Sequence, residues 1–219
     1  MLENLPDAVG EALGDIRAGL LQTMFHSVDL RQGMGSMCLA SLAFADHAPI
    51  PDKYTADGVG LSPPLHWSGV PAATTEVALV VEDADSPTPQ PLVHAIAHNL
   101  PTNDADDGAL AEGTLSAVGE AQPLVPMGRN SLLQARWLPP DPLPGHGVHR
   151  YVFQVFALGP GSALPDTPGR DALREALLER GLASGCLIGT YERPSGTIAD
   201  PLAPLSPVIP MPPPSPAGT

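Results

Sequence analysis

Two stretches of the chain are apolar at nearly every position, Val77-Ala78-Leu79-Val80-Val81 and Val152-Phe153-Gln154-Val155-Phe156. Both are short, rich in β-branched and aromatic residues, and bounded by turn residues, so both read as strands. Extended along the chain, this pattern predicts strands over 36–44, 76–83, 92–99, 113–118, 149–158 and 184–192. Between them lie turn-forming segments such as Ala48-Pro49-Ile50-Pro51-Asp52, Ser86-Pro87-Thr88-Pro89 and Leu138-Pro139-Pro140-Asp141-Pro142. Many short strands with loop-heavy connections fit an antiparallel, Greek-key-like β-sandwich with a few peripheral helices better than βαβ units. Helical spacing occurs twice. Val9, Leu13, Ile16 and Leu20 predict one amphipathic helix over 5–24. A second is expected over 169–181, with Asp171 at its start and Gly181 at its end. The reading divides the chain into an N-terminal helical extension (1–30), a β domain (31–196) and a tail (197–219). Eight prolines fall in that tail without apolar periodicity, which predicts an extended or disordered segment outside the fold.

Polar groups stand at the mouths of these apolar runs. Asp83, Asp85 and Pro87 end one run, His94 opens the next, and His149-Arg150-Tyr151 starts a third. Buried polar groups need partners, so their clustering suggests a small polar pocket at one rim of the β-structure. Strand alternation puts His149 and Tyr151 on one face with Phe153 and Val155. It puts Asp83 with Val81 and Leu79, and His94 with Ile96 and His98. Taken alone, His94, His149 and Tyr151 read as structural hydrogen-bonding groups ahead of ligand contacts, and Asp85 as either a turn brace or a ligand contact. His26, His47, His66, His98 and His146 read as structural or surface residues.

The same residues carry a family resemblance. Asp83-Ala84-Asp85-Ser86-Pro87 resembles the Asp-Pro-Asp-Ala-Pro signature of the phosphatidylethanolamine-binding protein family. His94 with Asn99 resembles its second motif, and Gly147-Val148-His149-Arg150-Tyr151 its third. Gly60 to Trp67 with Gly69-Val70-Pro71, and Gly128-Arg129-Asn130, resemble its bacterial, Raf-kinase-inhibitor-like branch. The resemblance implies that Asp83, Asp85, His94, His149 and Tyr151 form a pocket for phosphate-like or phosphoethanolamine-type groups. It implies a structural Pro87 after a cis bond from Ser86, and binding that improves as pH falls. The chain departs from the family at Ala84 and Ser86, at Ala95, where an aromatic residue is common, and in the 138–145 loop, which lacks the usual leading glycine.

Charge narrows the partners. The formal net charge is −14 with only 10 Lys and Arg, which argues against nucleic acid and against docking on anionic membrane. Any bound anion must therefore be held by local donors. No apolar run approaches the ~20 residues that span a bilayer, and the start lacks a basic leader, so a cytoplasmic location is expected. In that compartment Cys38 and Cys186 are expected to be buried free thiols. No cofactor or metal is implied, and Cys-x-x-Cys spacing is missing. The expected function is a non-catalytic binding protein for a small anionic group, open to modulating a protein partner. The alternative is acid/base or metal-assisted chemistry on a small phosphoester. A third reading is an interaction protein that forms homodimers through the N-terminal helix or binds partners through the tail.

Overall fold

The structure, a computed structural model, describes residues 2, 5–28, 35–100, 107–116 and 123–193. The predicted tail and residues 117–118 lie outside these. Two strands form the centre: β5 (Glu76–Asp83) and β8 (His149–Leu158), antiparallel along their length with Asp83 opposite Tyr151. Outside them lie β6 (Leu92–Ala97), next to β5, and β9 (Gly181–Tyr191), next to β8. The short β1 (Gly35–Ser36) and β3 (Ala48–Pro49) pair parallel with β9, a departure from the all-antiparallel expectation. A second sheet is made by β2 (Cys38–Ala40), β4 (Leu65–Ser68) and β7 (Asp107–Leu110).

The sandwich follows from alternation. Val77, Leu79 and Val81 of β5 and Phe153 and Val155 of β8 pack with Leu39, Leu65, Trp67 and Leu110 of the small sheet. The opposite face, with Ala78, Val80, Phe156 and Leu158, is covered by Leu173 and Leu177 of α3 (Arg170–Arg180) and by Met24. Both faces of the central strands are thus buried, which is why their sequences are continuously apolar. Charge is buried on that second face as well. Glu82 is fully buried, accepting from Arg170 Nε at 2.7 Å, Met24 N at 2.6 Å and Gln154 Nε2 at 2.9 Å.

Several elements differ from expectation. The region 36–44 is two strands: the chain passes from the large sheet to the small one at Met37, and residues 41–44 leave the sheet. At 113–116 the chain turns instead of extending, held by Gly113 N to Ser62 O and Leu115 N to Ser62 Oγ. The helix expected over 5–24 is broken into α1 (Asp7–Leu13), a single 3₁₀ turn at Leu20–Gln22, and α2 (Met24–Ser27). Val9 and Ile16 of its apolar stripe are exposed, while Gly14 and the positive-φ Gly19 interrupt it. Cys38 is exposed and Cys186 only partly covered. Cys38 lies on a strand position that faces away from the core, and Cys186 packs at the edge of the small cluster of Ala84, Val152 and Ile188. Among the described residues no helix is long and apolar enough to cross a membrane.

Candidate functional site

The antiparallel register of β5 and β8 places Asp83 beside Tyr151, and the next inward position on β8 is His149. His149 Nδ1 meets Asp83 Oδ2 at 2.7 Å, and Asp83 Oδ1 accepts from Asp85 N at 2.8 Å. These residues share the face that alternation predicted for them. His94 reaches the same place by another route. Val81 pairs with Ala95 but Glu82 pairs with Val93, so His94 is the additional residue of a β-bulge. Simple alternation groups it with Ile96 and His98, on the helix-covered side. The bulge instead turns its ring toward Tyr151, with centroids 5.1 Å apart and nearly perpendicular.

Hydrogen bonding fixes the His94 tautomer. Nδ1 lies 2.7 Å from Leu138 O, which can only accept, so Nδ1 carries the proton. In the neutral ring Nε2 is then a bare acceptor. It is buried and has no partner among the described residues, and neither has the buried Tyr151 hydroxyl. Burial holds the His94 pKa below the ordinary imidazole value, against the opposing pull of Asp83. Burial, with the Asp83 charge, pushes the Tyr151 hydroxyl well above its usual pKa, so it stays a donor. Trp137 packs 6.2 Å from the His94 ring and stacks on Phe153, supplying an aromatic wall beside Ala95.

Asp85 is placed differently. Its carboxylate accepts from Arg150 Nε and Nη2, both at 2.7 Å, and from Arg150 N at 2.9 Å, and Arg17 Nη1 lies at 3.3 Å. Burial alone would raise its pKa, but these Arg150 bonds hold it below the usual carboxylate range. Of its two sequence readings, the brace describes these contacts. The neighbouring turn closes through Ser86 Oγ, which bonds Asp83 O at 3.1 Å and receives Leu92 N at 3.2 Å. With those ties the chain reverses across a trans Ser86–Pro87 bond, and no cis bond occurs among the described residues, contrary to the sequence expectation.

His146, expected to be structural or surface, joins the site. Its Nδ1 lies 2.6 Å from His149 Nε2 and its Nε2 donates to Leu13 O at 2.9 Å. Asp83, His149, His146 and Leu13 O thus form three consecutive hydrogen bonds ending on a carbonyl. Burial, then the adjoining His149, keeps His146 below the ordinary imidazole pKa. No spacing rule links 146 to 149 in a loop. The only local hints are Gly145 and Gly147, both at positive φ, which bend the chain back on itself.

The site is closed to solvent: Asp83 is 5 % exposed, His94 3 %, His149 1 % and Tyr151 0 %. An open cavity of about 820 Å³ lies elsewhere, between the 88–93 turn, the 129–133 loop and the start of α3.

A β-sandwich carrying an Asp-His-His-Tyr cluster at one rim defines a class, and the comparisons agree with it. The family model described as phosphatidylethanolamine-binding protein matches residues 40–192. The chain belongs to the phosphatidylethanolamine-binding protein family. It is 37% identical over 163 residues to a UPF0098 protein of Chlamydia muridarum, covering 72% of this chain and 99% of that one. A UPF0098 protein of Methanothermobacter thermautotrophicus is 32% identical over 164 residues, with the same coverage of 72% and 99%. The crystal structure of a putative phosphatidylethanolamine-binding protein homologue from Chlamydia trachomatis superposes with a TM-score of 0.62 at 34% identity, covering 73% of this chain and 99% of that one.

Proposed function

We propose that the protein is a non-catalytic binder whose Asp83/His94/His149/Tyr151 pocket takes a phosphate-like group, either free or as a phosphoethanolamine-type headgroup. One observation carries this reading. Two buried polar atoms on neighbouring rings, His94 Nε2 and Tyr151 Oη, have no partner among the described residues. Buried polar groups are normally satisfied, and a guest with both an acceptor and a donor oxygen would satisfy this pair. Tyr151 donates to an anionic oxygen. His94 Nε2 accepts from a protonated one, or takes up a proton itself. A phosphate monoester loses its second proton at about pH 6, so binding takes up a proton above that range and tightens as pH falls.

The binding reading is favoured over catalysis by where the imidazoles lead. The array through His149 and His146 ends on Leu13 O, not on a hydroxyl or thiol that a base could activate. Among the described residues no three His, Cys, Asp or Glu side chains converge as metal ligands do. The local donors act against the chain's negative charge, which favours a small guest over an extended polyanion. NMR titration with inorganic phosphate and with phosphoethanolamine tests the reading. The His94 and Tyr151 ring signals are expected to shift, more at about pH 6 than at about pH 7.5. Signals that stay put with both ligands would overturn it.

A further inference from the structure

The residues N-terminal to the family match lie across the mouth of the pocket. Leu13 O receives His146, and Arg17 donates to His146 O and Val148 O, both at 2.8 Å, while approaching Asp85 Oδ1 at 3.3 Å. On the other rim, Ala18 N donates to Ser86 O at 3.1 Å and Gly19 N to Ala84 O at 2.7 Å. The segment is therefore fastened both to the loop that leads into His149 and to the turn that follows Asp83. Its helix α1 fits closely. A Cβ at Gly10 would overlap Pro144 O and come within 2.6 Å of His146 N, and one at Gly145 would meet the backbone of Asp7.

We infer that residues 7–19 form a strap that closes this pocket and must lift before a guest can enter. The strap acts through named atoms. By holding His146 Nε2 it keeps His146 Nδ1 on His149 Nε2, the one ring nitrogen of His149 not bonded to Asp83. Lifting the strap frees His146 to swing away and opens His149 Nε2 to an incoming oxygen. The fastenings are few and polar: two backbone bonds, one imidazole and one arginine. Val9 and Ile16 contribute little burial, both being exposed. Such an element can open while the sandwich beneath stays intact. The guest it excludes is the phosphate-like group proposed above, so the inference rests on that reading for the ligand's identity but not for the closure itself.

The full-length Gly10→Val variant tests it, since the added side chain meets backbone that cannot give way, yet touches no pocket side chain. Arg17→Ala serves as an independent second variant, and circular dichroism with melting checks that each is folded. Three quantities are read: amide exchange at Ala18 and Gly19, carbethoxylation of His94 and His149 by diethyl pyrocarbonate followed by peptide mass spectrometry, and inorganic phosphate affinity. If the strap closes the pocket at least about nine-tenths of the time, both variants speed exchange and histidine modification, and phosphate affinity rises about tenfold. Faster exchange and modification with no phosphate response supports the strap while overturning the anion reading. Folded variants in which His94 and His149 are modified no faster than in the parent would overturn the strap.

Discussion

Tyr151→Phe separates a hydroxyl kept for a guest from one that serves the fold. Tyr151 is fully buried, and its Oη has no hydrogen-bond partner among the described residues. Leaving a buried polar group unsatisfied costs about 1–3 kcal/mol, whereas a buried hydroxyl with a good partner contributes about 1 kcal/mol. Removing Oη keeps the ring, its contact with His94 and its packing on β8. The variant should therefore be more stable than the parent by about 1 kcal/mol, the lower end because the vacated space is not refilled. For a chain of this size that corresponds to a rise of about 2–4 °C in Tm. Phosphate binding should meanwhile weaken by about tenfold, roughly 1.4 kcal/mol. Urea unfolding midpoints measured without phosphate and at saturating phosphate give both quantities from one preparation. Loss of about 1 kcal/mol of stability without phosphate would show that Oη is already satisfied, and the argument from orphaned atoms would fail.

Other outcomes follow from buried charge and exposure. Because burial lowers the His94 pKa, the unfolded chain takes up a proton from about pH 6.5 downward that the folded chain resists. Stability should fall as pH drops through that window, and His94→Gln should flatten the slope; urea midpoints between about pH 7.5 and 5.5 measure it, and a midpoint that rises on acidification would contradict it. Glu82→Gln leaves Arg170 without its carboxylate and sets an amide donor among the donors of Met24 and Gln154, so it should cost about 3–5 kcal/mol by urea unfolding, and a cost under about 1 kcal/mol would contradict the buried network. Iodoacetamide should label the exposed Cys38 and spare Cys186, whose thiol burial pushes up to about 12, as peptide mass spectrometry can read.

Much of the architecture could be read from residues because its central strands are buried on both faces. The apolar runs gave 76–83 and 149–158, the bounds β5 and β8 have, and the helix expected over 169–181 is α3 within a residue at each end. Two strands of the small sheet, β4 and β7, escaped notice because each is only four residues long. Leu65-His66-Trp67-Ser68 alternates buried and exposed, but four residues after Pro63-Pro64 do not stand out from a loop. The amphipathic stripe over 5–24 misled because periodicity does not count partners. That segment is fastened by backbone and arginine contacts, and its apolar positions partly face outward.

The site divides along the same line. Parity on β8 and β5 is enough to bring His149, Tyr151 and Asp83 to one face, because those strands pair without a shift between them there. His94 needs the bulge, which no spacing announces, and parity alone assigns it to the wrong side. His146 and Arg17 reach the pocket through contacts 133 and 129 residues apart in sequence, so only folding reveals them.

On the proposed reading, His94 and Tyr151 face a common guest of phosphate-like chemistry. Soaking crystals in tungstate, a heavy analogue of phosphate, and mapping its anomalous signal tests that most directly. A peak is expected within hydrogen-bonding distance of both His94 Nε2 and Tyr151 Oη, lost in Tyr151→Phe crystals. Tungstate bound only elsewhere on the surface, with those two atoms still unpaired, would contradict it.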